Sequence, residues 1–176
     1  MPSIANSIAD PRVAAGLILV AALGTIAGAL VFEHVFGLRP CPLCLVQRYP
    51  YYAAMPVALA AALVSRPAMA RAGLALLALI FVVSAGLGAY HAGVEWGWWL
   101  GPSDCAGAPV PAPGGIGDFL GQLQTTRVVS CTDAAWRFLG LSLAGWNVLI
   151  SLALAAFAFA ALTASGRVAR SGETST

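Results

Sequence analysis

The chain has 176 residues, 60% of them apolar and only 9% charged, with a net charge of +2. A soluble domain typically carries about 25% charged residues, so this is the composition of a membrane protein, of a length that suits one domain over 1–176. All nine basic residues are arginines, with no basic stripe and no recognisable motif, which argues against nucleic acid as a partner.

Taken in chain order, the apolar runs predict an all-α membrane protein: a four-transmembrane-helix bundle with helices at about 13–32, 45–64, 72–90 and 143–163. The first run, Val13 to Phe32, contains Ala27-Gly28-Ala29, which resembles a signal-peptide cleavage site. It is longer than the usual h-region of about 7–15 residues and only Arg12 precedes it, so it is expected to stay as a helix. The second run, Tyr49 to Val64, is short for a span and needs Leu45 and Val46 to extend it, with Arg48 snorkelling or facing the bundle interior. Two outer loops follow from this division, at about 33–44 and 91–142.

Orientation can be read twice. Arg12, Arg66, Arg71, Arg167 and Arg170 lie on the side of the termini, whereas Arg39, Arg48, Arg127 and Arg137 lie in a longer stretch of chain on the other side. The positive-inside rule puts the termini in the cytoplasm. Cys41, Cys44, Cys105 and Cys131 all fall on the opposite side, where disulfides persist. The protein is therefore expected to be multi-pass, with both termini cytoplasmic and the cysteines outside the cytosol.

The second outer loop contains a proline-glycine stretch from Ala108 to Gly115, expected to be irregular. After it, Ile116, Phe119, Leu120 and Leu123 share one helical face and predict a short amphipathic interfacial helix. Trp96, Trp98, Trp99, Trp136 and Trp146 gather near the outer interface as an aromatic belt.

The chemistry concentrates at Cys41-Pro42-Leu43-Cys44, followed by Arg48. A C-x-x-C pair is a dithiol/disulfide couple whose reactive form is the thiolate. If the second helix starts near Cys44, its N-terminus favours negative sulfur there, and Arg48 at i+4 shares the face. An arginine at membrane depth is costly and points to function, because a structural disulfide needs no buried cation. Cys105 and Cys131, in one loop, are weaker evidence alone; beside the first pair they suggest a relay of electrons. Zinc is the competing use of four cysteines, but the second pair lacks knuckle spacing, so no metal is expected. His91 and Glu95 close the third run: His91 is a candidate hydrogen-bond donor or proton shuttle, and Glu95 is read as solvated at the interface. Asn147 and Ser151, at i and i+4, read as interhelical hydrogen-bond glue.

Cys41-Pro42-Leu43-Cys44-Leu45-Val46-Gln47-Arg48, the loop cysteines Cys105 and Cys131, and four spans with both termini inside resemble the DsbB family over essentially the whole chain. The resemblance implies a membrane thiol:quinone oxidoreductase that reoxidises a periplasmic DsbA-like thioredoxin-fold oxidase and passes the electrons to the membrane quinone pool, ubiquinone or menaquinone. It implies that Cys105 is attacked by the partner thiolate and that Cys131 is its loop partner and later exchanges with Cys41. Cys44 would face the quinone in a charge-transfer pair or adduct, supported by Arg48, with His91 near the quinone pocket. Pro50 and Pro56 are expected to bend the wall of that pocket. The alternatives are a relative serving a dedicated partner, a vitamin K epoxide reductase-like enzyme, and a non-enzymatic bundle stapled by two disulfides. The second of these usually carries its C-x-x-C late in the chain, and the third has no need of Arg48.

Overall fold

The computed structural model describes residues 10–102 and 130–173, with side chains described as far as Arg167. The elements are α1 (Pro11–His34), α2 (Pro42–Val46), α3 (Tyr49–Leu63), α4 (Pro67–Glu95), β1 (Arg137–Phe138), β2 (Leu141–Ser142) and α5 (Leu143–Glu173). Among the described residues, three helices are long and apolar enough to cross a membrane: α1, α4 and the Leu143–Arg167 part of α5. The chain is thus a mostly helical, multi-pass membrane protein.

Helix starts follow local rules. Asp10 caps α1 by accepting from the Arg12 N–H at 2.9 Å, and Pro11, Pro42, Pro50 and Pro67 stand in first turns, where a missing N–H costs nothing. The expected second helix over 45–64 is instead two pieces. Pro50 has no N–H to give the Val46 carbonyl, so the ladder cannot continue through 46–50. The chain tightens there: the Arg48 N–H bonds to the Leu45 carbonyl at 3.0 Å, and regular bonding resumes when the Tyr52 N–H reaches the Arg48 carbonyl. Pro56, by contrast, is absorbed inside α3. At 15 residues, α3 is about 22 Å long, short of a hydrocarbon core of about 30 Å. Helix α4 extends beyond the expected 72–90 at both ends, and α5 begins at the expected Leu143. The expected interfacial helix, 116–123, lies outside the described residues.

A two-stranded hairpin departs from an all-α reading. Arg137 pairs with Ser142 and Phe138 with Leu141. The two turn residues, Leu139 and Gly140, both have positive φ, 51° and 82°, the sense that matches strand twist.

Small residues dominate the bundle core: Ala14, Ala15 and Ala22 on α1, Ala54, Ala58 and Ala61 on α3, and Ala155, Ala158 and Ala161 on α5, around Ile18, Leu74, Leu77 and Phe81. Large apolar side chains such as Leu17, Val20, Leu79, Val82 and Phe159 point outward. Lipid is as apolar as leucine, so helices gain from close backbone approach rather than from hiding leucines. Two glycines make that approach possible. A Cβ on Gly73 would stand 2.6 Å from the Ala61 Cβ, where α3 meets α4. A Cβ on Gly88 would stand 3.0 Å from Val148 Cγ2 and 3.1 Å from Asn147 Nδ2, where α4 meets α5. The second contact brings Asn147 to the functional cluster.

Candidate redox site and apolar cavity

The short helix α2 carries both cysteines of the C-x-x-C pair. Cys41 is its N-cap, and its sulfur accepts the Cys44 backbone N–H at 3.2 Å. Both thiols are free, Cys41 buried and Cys44 half-buried, with sulfurs 2.9 Å apart. Cys131 is fully buried and disulfide-bonded; Cys105 lies outside the described residues. Cys41, Cys131 and Val94 form one buried cluster, with Leu43 and Cys44 against it. The chain therefore brings three of its four cysteines to one place from two separate loops.

The two sulfurs do not share an environment. The Cys44 thiol, the His91 ring and the Cys44 backbone N–H converge on Cys41, and they lower its pKa to about 4 against the opposing effect of burial. Cys44 keeps the proton the pair shares: its pKa is pushed up by the bond to Cys41 and by burial. In this reduced state negative charge is favoured on Cys41, where the helix-start argument had put it on Cys44. The reason is first the Cys44 thiol and then the His91 ring, both directed at Cys41, with the backbone N–H that Cys41 accepts as N-cap adding to them.

His91 stands behind Cys41. Its Nε2 is 3.5 Å from the Cys41 sulfur, and its Nδ1 is 2.6 Å from the Gln47 side-chain nitrogen. Glu95, one turn on, is not solvated: its side chain is 5% exposed, with Oε1 3.8 Å from His91 Nε2. Its Oε2 has no hydrogen-bond partner. The Cys41 and Cys44 sulfurs and an imidazole nitrogen of His91 all lie within 4.8 Å of one another.

On the other face of α2 and α3 opens a cavity of about 430 Å³. Its walls are mostly apolar, including Gly28, Phe32, Trp136, Trp146 and Ile150, with Thr25, Glu33, Arg39, Cys44, Gln47, Arg48, Tyr51 and Asn147 as polar points. His91 and Cys41 do not line it. Arg48 Nη1 donates to Glu33 Oε2 at 2.7 Å, with side chains 13% and 26% exposed. A half-buried pair of this kind keeps the guanidinium at membrane depth without an unpaired charge. The hairpin supplies the outer rim: Trp136 stacks on Phe138 and tilts against Phe32, with ring centres 5.7 Å and 5.0 Å apart. The Trp136 and Trp146 of the expected aromatic belt thus line the cavity as well.

Asn147 and Ser151 make the interhelical bonds expected of them. The Tyr51 hydroxyl donates to Asn147 Oδ1 at 2.8 Å and lies 3.0 Å from Ser151, whose hydroxyl donates to Ser84 at 2.9 Å. Sequence reasoning passed over Glu33, Gln47, Tyr51 and Ser84. Glu33 had a usable signal: it is an acid ending the first apolar run, at the depth of Arg48. Gln47 had none, since a lone amide beside an arginine reads as surface.

The comparisons with known proteins agree with one another. The family model described as Disulfide bond formation protein DsbB matches residues 11–161. Disulfide bond formation protein B of Marinobacter nauticus is 36% identical over 145 residues, covering 76% of this chain and 81% of that protein. The protein of the same name from Albidiferax ferrireducens is 35% identical over 165 residues, covering 82% and 87%. A Rickettsia prowazekii protein described as uncharacterized is 29% identical over 131 residues, covering 73% and 74%. No solved structure matches. A reduced C-x-x-C pair packed against a disulfide-bonded cysteine, inside a multi-pass helical protein, is chemistry suited to making disulfides, and the chain belongs to the DsbB family of disulfide bond formation proteins.

Proposed function

We propose that this protein is a thiol:quinone oxidoreductase, which reoxidises a soluble DsbA-like dithiol oxidase and passes the electrons to a membrane quinone. The observation that carries the reading is the position of Cys44: its pair mate Cys41 packs against Cys131, while Cys44 itself lines the apolar cavity beside Arg48. One dithiol thus touches a disulfide-bonded loop cysteine on one side and an apolar cavity on the other.

The sequence of exchanges balances without further reagents. A partner thiolate attacks Cys105 of a Cys105–Cys131 disulfide, and the electron pair of the broken bond leaves on Cys131. Cys131 attacks Cys41 of an oxidised Cys41–Cys44 pair, and the electron pair leaves on Cys44. The second partner thiol resolves the mixed disulfide at Cys105, giving oxidised partner. The Cys105 thiolate released then attacks Cys131, restoring the loop disulfide and expelling Cys41 as thiolate. Two electrons and two protons now rest on Cys41 and Cys44. The stabilised Cys41 thiolate favours the reduced form and so makes this disulfide the stronger oxidant, the direction the relay needs.

The cavity residues fit a quinone. Its volume of about 430 Å³ lies within the usual range for ligand sites, with apolar walls for a ring and tail and Arg48 for an oxygen. Bound there, a quinone would supply a two-electron, two-proton acceptor. Cys44 would touch it, Arg48 would hold negative charge at its oxygens, and Phe32, Trp136 and Trp146 would exclude water. His91, the remaining candidate for this site, acts from behind Cys41.

Helix α3, extended by α2, would complete a four-helix span, with both termini cytoplasmic and the cysteines periplasmic. The arginine bias supports this orientation. A periplasm-active reporter should work when fused after Arg39 and fail after Arg66; the reverse pattern would exclude it. The deciding experiment for the function mixes purified protein, reduced DsbA-type oxidase and ubiquinone, and follows quinone absorbance. Quinone should be consumed one for each partner disulfide formed; partner oxidation without quinone loss, or no oxidation, would overturn the reading.

A further inference from the structure

A file of hydrogen bonds crosses the bundle behind the C-x-x-C pair, and its direction is set at both ends. At one end, Tyr51 donates to Asn147 Oδ1 at 2.8 Å, so the Asn147 nitrogen is turned the other way and donates to Gln47 Oε1 at 2.7 Å. At the other end, Gln47 Nε2 points to the Leu43 carbonyl at 3.4 Å and to His91 Nδ1 at 2.6 Å. Turning the Gln47 amide over would set its oxygen against the Leu43 carbonyl and its nitrogen against the Asn147 nitrogen. Gln47 is 8% exposed and His91 2%, so water does not stand in for these bonds. Because Nδ1 accepts a hydrogen bond from the Gln47 amide, a neutral His91 must carry its own proton on Nε2. That nitrogen faces the Cys41 sulfur at 3.5 Å.

We propose that Gln47, held by Asn147, is a positioning residue that locks His91 in the Nε2–H tautomer and so aims an N–H at Cys41. The inference rests on the thiol-relay reading for its role in turnover, but the lock itself exists in the resting protein. Its chemical use comes whenever an exchange expels Cys41. The incoming thiolate forms a bond to the other sulfur, the old S–S bond breaks, and its electron pair comes to rest on Cys41, where the waiting N–H receives it. A hydrogen bond to a sulfur that becomes charged is stronger than one to a neutral sulfur, so the donor favours departure over return. The opposite tautomer would turn a lone pair toward that charge.

The groups facing this imidazole are few. From α2 there are Cys41 and Cys44, from α4 there is Glu95, whose Oε1 is 3.8 Å from Nε2, and from α5 the neutral amide of Asn147. Arg48 and Glu33 pair with each other at the cavity. Glu95 is the competitor for the same N–H, and its unpartnered Oε2 leaves it free to approach.

The test needs neither quinone nor partner. Nitrogen-15 NMR of histidine-labelled, reduced protein reads the tautomer directly; His34 is the only other histidine and is exposed. Nδ1 of His91 should be unprotonated in the parent and gain the proton in Gln47→Met, which keeps the shape and loses the amide. The ultraviolet thiolate absorbance titrated against pH should show Cys41 binding protons roughly tenfold more tightly in Gln47→Met, the loss of one charge-assisted bond. Gln47→Glu should leave Cys41 binding protons at least as weakly as in the parent, since a carboxylate accepts from Nδ1–H and so holds an imidazolium, which keeps Nε2–H and adds its charge. A parent protein with Nδ1 protonated overturns the proposal even if no variant folds, as does a Gln47→Met titration equal to the parent's. A correct tautomer in a protein that never reduces quinone would instead count against the proposed function alone.

Discussion

The two faces of the α2–α3 junction differ more than their few residues of separation suggest. On one face, Cys44 borders a wide apolar cavity in which Arg48 and Glu33 are already paired and which Arg39 also lines. On the other, Cys41 sits in a tight, polar, buried cluster with His91, to which Gln47 and then Asn147, both also bordering the cavity, are bonded in series. The contrast shows how one dithiol can serve two reactants. A sulfur that must trade bonds with another sulfur needs directed donors to carry charge as it leaves. A sulfur that must meet a lipid-soluble acceptor needs room and dryness, with charge close by but neutralised until it is called on.

The cysteines offer the sharpest way to break this comparison. Cys44→Ser should abolish quinone reduction altogether while leaving the loop disulfide open to the partner. Cys131→Ser should instead trap a mixed disulfide between Cys105 and the partner, because the resolving thiol is gone, and Cys105→Ser should trap none. Gels run without reductant, beside quinone kinetics, separate these outcomes. Adduct in both loop variants, or in neither, would mean the two faces are not joined in the proposed order.

Arg48 comes next in expected size. Arg48→Ala strips the partner from Glu33, whose carboxylate is only partly exposed, so the cavity should gain an unpaired negative charge that opposes the carbonyl oxygens of a quinone and the charge they take up. The apparent KM for quinone should rise by about tenfold or more, on the order of 1.4 kcal/mol, with partner exchange at the loop little changed. Arg48→Lys should recover part of this, since it keeps the charge and loses the planar fork. Glu33→Gln should be milder than Arg48→Ala, because an arginine remains to meet the ligand. Equal quinone kinetics in all three would remove Arg48 from the cavity's function.

The smallest expected effect sharpens the comparison from the side of packing. Gly88→Ala puts a Cβ about where Val148 and the Asn147 amide already stand, and overpacking of this kind costs about 1–3 kcal/mol. Thermal unfolding should start at lower temperature, and the Cys41 face should suffer before the cavity face, since Asn147 anchors Gln47. A variant as stable as the parent, with unchanged Cys41 titration, would show that α5 does not need that close contact.

Much of this protein was legible in its sequence because the relevant forces act locally or on composition. Apolar runs long enough for a bilayer declare themselves at any fold, and α1, α4 and α5 each contain an expected run, with α4 longer at both ends and α5 longer at its C-terminal end. A C-x-x-C beside an arginine at membrane depth is unusual enough to point to redox chemistry without a structure. The break at Pro50 was legible in principle, since a missing N–H is a property of one residue, but its consequence was obscured by the need to lengthen a short span. What only the tertiary structure decided is which groups meet across the bundle. Glu33 reaches Arg48 from 15 positions away, His91 reaches Cys41 from 50, and Asn147 reaches Gln47 from 100. These meetings depend on how closely Gly73 and Gly88 let helices approach and on how α4 and α5 are rotated. Periodicity carries no signal for them, because a buried amide or carboxylate looks the same in sequence as a solvated one until its neighbours have removed the water.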